Sequence, residues 1–297
     1  MVFLLLACLT SCSFNKIFYQ PEKIPAKVKN ATITNTVKDS SWQTIINFGD
    51  NFQPTFTDSK NNLLHLDYSI KSYVFKDESG HNLNGWFIKP IASVHPDITI
   101  LFLHGNGGNI VANYPTAVQL VKRGFQVFIF DYSGYGFSEG KPTRKNVLDD
   151  ATSALKFLCS QSDVRDTKVV VYGQSLGGHL AVVLAQRNEQ MVDGLVAEGA
   201  FSSHKDIAAD SYKPLGFAAR ILVKEQYSAF RSIRHFHKPV LIIHSTEDKV
   251  VPIAEGKKIY ANANEPKSFY EIKHEHIEGL AYYADSISSK IKAMVIK

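Results

Sequence analysis

The sequence predicts an α/β protein built on a mostly parallel, mixed sheet covered on both faces by helices. After Pro90, short apolar runs alternate with amphipathic stretches, the pattern of strands buried on both faces and joined by crossover helices. Ahead of Pro90, two alternating segments around a Gly-containing turn add an antiparallel pair, which makes the sheet mixed. The chain has 297 residues, 44% of them hydrophobic and 11% aromatic, which excludes disorder and leaves material for a large single core.

The elements follow in order. Leu66 to Phe75 alternates like a half-buried strand, and a turn at Gly80 leads back along Leu83 to Ile88. Ile98–Leu103 is the first wholly apolar strand, followed by a helix over Asn113–Lys122 and a strand over Phe125–Phe130. Thr143 caps a helix running to Cys159. The strand Lys168–Tyr172 enters a helix over Leu176–Gln186, and Gly194–Ala197, Val240–His244 and Phe269–Ile272 complete the strands. Between Ser203 and His237 the rhythm breaks. That stretch exceeds an ordinary strand-to-helix connection and carries an apolar helical pattern over Lys213–Val223, so a small helical cap at 203–237 is expected. The expected organisation is a signal segment at 1–12, a tether and peripheral segment at 13–62, and one domain at 63–297.

The run Val2–Leu9 is too short for a transmembrane helix, which takes about 20 apolar residues, but suits a signal-peptide core. No Lys or Arg stands near Met1. Leu9-Thr10-Ser11-Cys12 resembles a bacterial lipobox, in which the Cys becomes lipidated and N-terminal. The expectation is a cell-envelope lipoprotein, with membrane contact through a lipid anchor on Cys12. Ser13, rather than Asp, after that Cys favours the periplasm-facing side of an outer membrane. A secreted or periplasmic protein is the alternative. Once Cys8 is removed and Cys12 lipidated, Cys159 is the remaining thiol, so no internal disulfide is expected. Cys159 lies on an apolar helical pattern and reads as a packed small hydrophobe. The formal charge of +5 is spread without a Lys/Arg block, which argues against nucleic acid as a partner.

The chemistry centres on Gly173-Gln174-Ser175-Leu176-Gly177, placed between the apolar strand and the following helix. A Ser on so sharp a turn needs strained backbone angles, and glycines two positions to either side leave room for it. The turn raises the hydroxyl at the carboxyl end of the sheet, beside the positive end of the helix. Such a hydroxyl needs a base to take its proton and a carboxylate to orient the base. Asp248, in the loop after the Val240 strand, is the candidate acid, with Glu247 as neighbouring rival. Two histidines follow the last strand and compete as base. His276, at the mouth of an apolar helical stretch over Ile277–Tyr283, leads, and His274 is the alternative. The glycine-rich segment His104-Gly105-Asn106-Gly107-Gly108 follows a strand and exposes backbone NH groups. The NH groups of Asn106 and Leu176 are the expected oxyanion donors, each worth roughly 3 kcal/mol of barrier. His104 precedes the Ser in order and reads as a loop-shaping residue. The loop could also cradle a phosphate, but no Gly-Lys-Ser/Thr follows.

These residues, with Gly85-Trp86-Phe87 and Asp131-Tyr132-Ser133-Gly134-Tyr135-Gly136-Phe137-Ser138-Glu139-Gly140, make residues 66–285 resemble the BEM46-like branch of the α/β-hydrolase superfamily. Phe18-Tyr19-Gln20-Pro21 is similar to a segment ahead of the core in such proteins. The resemblance implies an α/β-hydrolase fold and hydrolysis of esters or thioesters, sometimes of acylated lipids or proteins, with no cofactor or metal. A serine aminopeptidase-like amide hydrolase and a non-catalytic lipid- or partner-binding module are the alternatives. The chain departs from the family at Ser245, where a Gly is usual, and at Lys273-His274-Glu275, where the approach to the His is usually glycine-rich. The second departure keeps His274 open.

Overall fold

The computed structural model describes residues 18–37, 40–91, 96–211 and 216–296. The N-terminal region opens with an antiparallel sheet of β1 (Asn30–Val37), β2 (Ser40–Phe48) and β3 (Pro54–Thr57). The segment 13–62 is therefore more than the expected tether. Along β2, Thr44, Ile46 and Phe48 are buried at alternate positions while Trp42 stands exposed. Ile46, Phe48 and Phe56 join the same apolar cluster as Tyr114, Trp86 and Phe137 of the main body. Thr- and Asn-rich β1 has little apolar alternation of its own, which hid the sheet from pattern reading.

The main sheet follows. The strands β4 (Tyr68–Lys76) and β5 (Asn82–Pro90) form the expected hairpin, with Tyr68 opposite Pro90 and Lys76 opposite Asn82. The chain continues through β6 (Ile98–Leu103), α1 (Ile110–Val121), β7 (Gln126–Phe130), α2 (Arg144–Cys159), β8 (Lys168–Gln174) and α3 (Leu176–Arg187). After β9 (Gly194–Glu198) come three short helices, α4 (His204–Ser211), α5 (Gly216–Leu222) and α6 (Ala229–Ser232). Then β10 (Val240–Ser245), α7 (Ile253–Asn262), β11 (Lys267–Ile272), α8 (Gly279–Tyr282) and α9 (Ala284–Val295) end the chain. The strand order is β11-β10-β9-β8-β6-β7-β5-β4, eight strands in all. Neighbours from β11 to β7 pair in parallel, while β5 pairs antiparallel with both β7 and β4. This is the mixed, mostly parallel sheet the sequence predicts.

Every residue of β6, β7, β9 and β10 is buried, as two helical layers require. One apolar cluster lies on each face, with Leu101, Val171 and Ile242 turned to one and Phe102, Tyr172 and Ile243 to the other. That alternation within unbroken apolar runs is the strand period at work. Capping sets two helix starts. The Thr143 hydroxyl accepts from the Asn146 NH at 3.1 Å, as expected. The Asn109 side chain accepts from the Ala112 NH, which begins α1 three residues before the expected Asn113. Helices α4 to α6 occupy the stretch expected to form a cap, α4 beside the sheet's carboxyl edge.

Candidate active site

Ser175 stands between β8 and α3 with φ 55° and ψ −116°. Such a backbone is costly for a residue with a Cβ and persists only where its surroundings force it. Here they do. A Cβ on Gly173 would lie 2.0 Å from the Gly177 carbonyl oxygen, and one on Gly177 would lie 2.0 Å from that of Leu103. The Ser175 NH donates to the Glu198 carbonyl at 2.9 Å, stitching the turn to the neighbouring strand. The hydroxyl is thus held over the carboxyl end of the sheet, at the first turn of α3.

The structure brings the two partners to it across a long sequence separation. His276 Nε2 lies 2.8 Å from Ser175 Oγ, and His276 Nδ1 lies 2.6 Å from Asp248 Oδ2. Asp248 is fastened from behind. Its Oδ1 accepts from the Val250 and Val251 NH groups at 2.9 and 2.8 Å. The buried His244 side chain brings Nε2 within 3.5 Å of Asp248 Oδ2 and 2.9 Å of the Val251 carbonyl. That carbonyl assigns the proton to Nε2. Burial alone would raise the Asp248 carboxyl, but hydrogen bonds from His244 and His276 together with the Val251 NH hold it well below the usual carboxylate range. An anionic Asp248 in turn keeps the His276 proton on Nδ1 and leaves Nε2 free to accept from the hydroxyl.

The rivals lie elsewhere. His274 adopts φ 76°, stacks on Tyr282 with ring centroids 3.9 Å apart, and donates its NH to Glu247. Glu247 is exposed and spends its carboxylate on that contact. Neither joins the relay. His104 is fully buried beside the glycine loop, and burial pushes its imidazole down to about 4, so it is neutral at physiological pH. Its carbonyl accepts from Tyr132 and that of Asn106 accepts from Tyr135 at 2.8 Å, which pins the loop carrying the Asn106 NH. Leu176 opens α3 and so has no intrahelical partner for its NH. Both expected donors border the same cleft as Ser175. Cys159 is a partly buried free thiol, raised by burial and remote from this cleft. Cys12 and the expected signal segment lie outside the described residues.

The cleft above Ser175 encloses about 360 Å³. Its walls are mainly apolar, including Phe18, Phe201, Ile207, Val250, Val251 and Ile277. Phe18 was not expected there. It arrives on a strap of residues 18–24 that runs across the glycine loop, Gln20 NH donating to the Asn106 carbonyl at 3.0 Å and Gln20 pairing with Gly107. Sequence reasoning also missed Glu198, a fully buried carboxylate behind the site. Its signal was an acidic residue closing an otherwise apolar strand.

Comparison with known proteins agrees with this architecture. Residues 98–220 match the model of the alpha/beta hydrolase fold family. The chain is 36% identical to YfhR of Salmonella typhi over 211 residues, covering 66% of this chain and 70% of that one. It is 31% identical to the alpha/beta hydrolase domain-containing protein WAV2 of Arabidopsis thaliana over 223 residues, 70% of this chain and 69% of WAV2. It is 35% identical to bem46 of Schizosaccharomyces pombe over 156 residues, 52% of each chain. Among solved structures, the Pyrococcus furiosus esterase Pf2001 superposes with a TM-score of 0.63 at 20% identity, covering 76% of this chain and 91% of the esterase. Fold, strand order and relatives agree: the chain belongs to the α/β-hydrolase family.

Proposed function

We propose that this chain is a serine hydrolase that cleaves carboxylic ester or thioester bonds of acylated substrates through an acyl-enzyme on Ser175. The observation that carries the reading is the unbroken relay from Ser175 Oγ through His276 to Asp248, at 2.8 and 2.6 Å. Ser175 Oγ bonds to the substrate carbonyl carbon as its proton passes to His276 Nε2. The carbonyl oxygen takes the negative charge between the Asn106 and Leu176 NH groups. Collapse breaks the bond to the alcohol or thiol, which leaves with the His276 proton. Water, activated by the same imidazole, then releases the acid.

Ester or thioester cleavage is favoured over aminopeptidase action by the cleft lining. A site for peptide N-termini needs an acid to hold the ammonium group, and none of the described residues lining the cleft is Asp or Glu. The apolar walls instead suit an acyl chain, and the volume lies at the small end of ligand pockets, which favours short chains. A fluorophosphonate probe should label the protein and fail on Ser175→Ala; labelling that survives the substitution removes Ser175 from the nucleophile's role. p-Nitrophenyl esters of graded chain length, set against aminoacyl amides, separate esterase from aminopeptidase action. Failure of every ester and of the probe would revive the non-catalytic binding module.

The membrane reading is a proposal of the same kind. Phe18 lines the cleft and Cys12 precedes it by six residues, so a lipid on Cys12 would tether the cleft within ~20 Å of the membrane surface. The α5 side chains Phe217 and Ile221 are 80% and 64% exposed, next to the wall formed by α4. An apolar face so placed suits a lipid surface. Metabolic labelling with a lipid precursor should mark the protein and not Cys12→Ala; labelling that persists in Cys12→Ala sinks the anchor.

A further inference from the structure

Glu198 ends β9 directly behind Ser175, and it is 1% exposed. Its Oε2 accepts from the Tyr172 hydroxyl at 2.6 Å and from Gln174 Nε2 at 2.8 Å. Its Oε1 accepts from the Gly279 NH at 2.7 Å. Three donors converge on two oxygens, which matches an acceptor-only carboxylate, and none of those donors is a cation. A buried carboxylate answered by neutral donors is costly, so its place asks for a reason.

The donors supply that reason by where they sit in the chain. Tyr172 and Gln174 belong to the strand that delivers Ser175, while Gly279 lies three residues after His276. Gln174 Nε2 also donates to the Ile277 carbonyl at 3.1 Å, so one amide touches both the carboxylate and the residue next to His276. The His loop is otherwise poorly held by regular structure: Ile277 has φ 55°, and α8, which follows, is a single turn. Gly199, the residue after Glu198, comes so near that a Cβ on it would stand 3.0 Å from His276 Cε1. We propose that Glu198 is a positioning residue, its carboxylate and the Gln174 amide forming a bracket that locks the His276 loop to the strand of the nucleophile.

This inference rests on the serine-hydrolase reading, because the geometry it protects is the 2.8 Å approach of His276 to Ser175. The test is the rate constant for labelling by a fluorophosphonate, followed with kcat and KM for a short soluble p-nitrophenyl ester. Glu198→Gln keeps the volume but sets a second NH2 against the Gln174 amide. It should slow labelling and lower kcat by roughly 10- to 100-fold while leaving KM unchanged. Gln174→Met should do the same, and the double variant should be no slower than the slower single one, since both break one bracket. Glu198→Gln that labels at the wild-type rate overturns the inference. So does a loss of labelling amplitude at an unchanged rate constant, which reports a smaller folded fraction and not a misplaced base. If Glu198→Gln does not fold, Gln174→Met and Tyr172→Phe decide it: at least Gln174→Met must slow labelling, and wild-type rates in both overturn the bracket. Absence of labelling in the unsubstituted protein would instead overturn the underlying reading.

Discussion

The loop that carries Ser175 and the loop that carries His276 meet where the hydroxyl approaches the imidazole, yet they are held by different physics. The Ser175 turn is set by backbone packing. Glycines at 173 and 177 leave room for carbonyls that any Cβ would strike, and the strained angles follow from that closeness. At the His276 loop the close approaches are to side chains: a Cβ on Gly279 would lie 2.6 Å from Glu198 Oε1. Side-chain hydrogen bonds hold it, through Asp248 on one flank and Glu198 with Gln174 on the other. The first kind of restraint sets backbone against backbone, inside the turn at Gly173 and against Leu103 at Gly177, and yields little to substitution. The second joins residues tens of positions apart and should weaken by degrees.

The largest effects fall on the contact itself. Ser175→Ala and His276→Ala should each lower kcat on the order of 10⁶-fold, because either change removes the whole relay. His274→Ala should change it by less than about threefold, since that ring stacks on Tyr282 outside the relay. Ester hydrolysis rates for the three variants check this, and a His274 variant as slow as the His276 variant would reverse the assignment. Asp248→Asn should cost somewhat less, on the order of 10⁴-fold, by admitting the wrong His276 tautomer.

The backbone side of the comparison is read in stability. Gly177→Ala puts a Cβ 2.0 Å from the Leu103 carbonyl, and backbone cannot yield as a side chain can. A loss of about 3 kcal/mol or more is expected by urea denaturation, if the variant folds at all. Gly107→Ala, whose Cβ would meet nothing within 4 Å, should cost less than about 1 kcal/mol. Equal losses would show that the clash at 177 is relieved by movement of the glycine loop.

The same contrast decides what could be read from the sequence. The Ser175 turn was legible because its Gly-x-Ser-x-Gly signature lies within five residues, between a strand and a helix whose apolar patterns are plain. Asp248 was legible for a similar reason, as an acid just past a buried strand. The order of His274 and His276 along the chain says nothing of which ring reaches Ser175. That depends on the φ values of 76° at His274 and 55° at Ile277, neither of which a Lys-His-Glu-His-Ile stretch announces. Glu198 shows in the sequence only as an acid closing an apolar strand, because its partners are brought to it by the fold, Tyr172 and Gln174 from neighbouring β8 and Gly279 from the His276 loop. The N-terminal sheet was missed because β2 borrows its apolar partners from Tyr114 and Phe137 on distant elements.

A smaller effect separates the two sides by pH. Behind the glycine loop, burial pushes the Asp131 carboxyl up to about 7, although the Ile110 and Phe137 NH groups pull it down. The folded protein therefore holds a proton there that the unfolded chain releases near pH 4, so Asp131 costs stability increasingly as pH rises from about 4 to about 7. Asp248 has the opposite sign. Its folded value is depressed, so its stabilisation is complete above the ordinary carboxylate range and is lost as pH falls through the acid region below it. Asp131→Asn removes the titrating group while its Oδ1 can still accept from the Ile110 NH. Against the parent protein, its stability should improve between pH 5 and pH 8 by roughly 1–3 kcal/mol. Asp248→Asn should lose ground between pH 3 and pH 6 by a similar or smaller amount, since water reaches the loop around that carboxyl more readily. Urea midpoints across that range check both signs. Curves for the two variants that run parallel to the parent would mean that neither carboxyl changes its proton affinity on folding, and the electrostatic half of the comparison would fall.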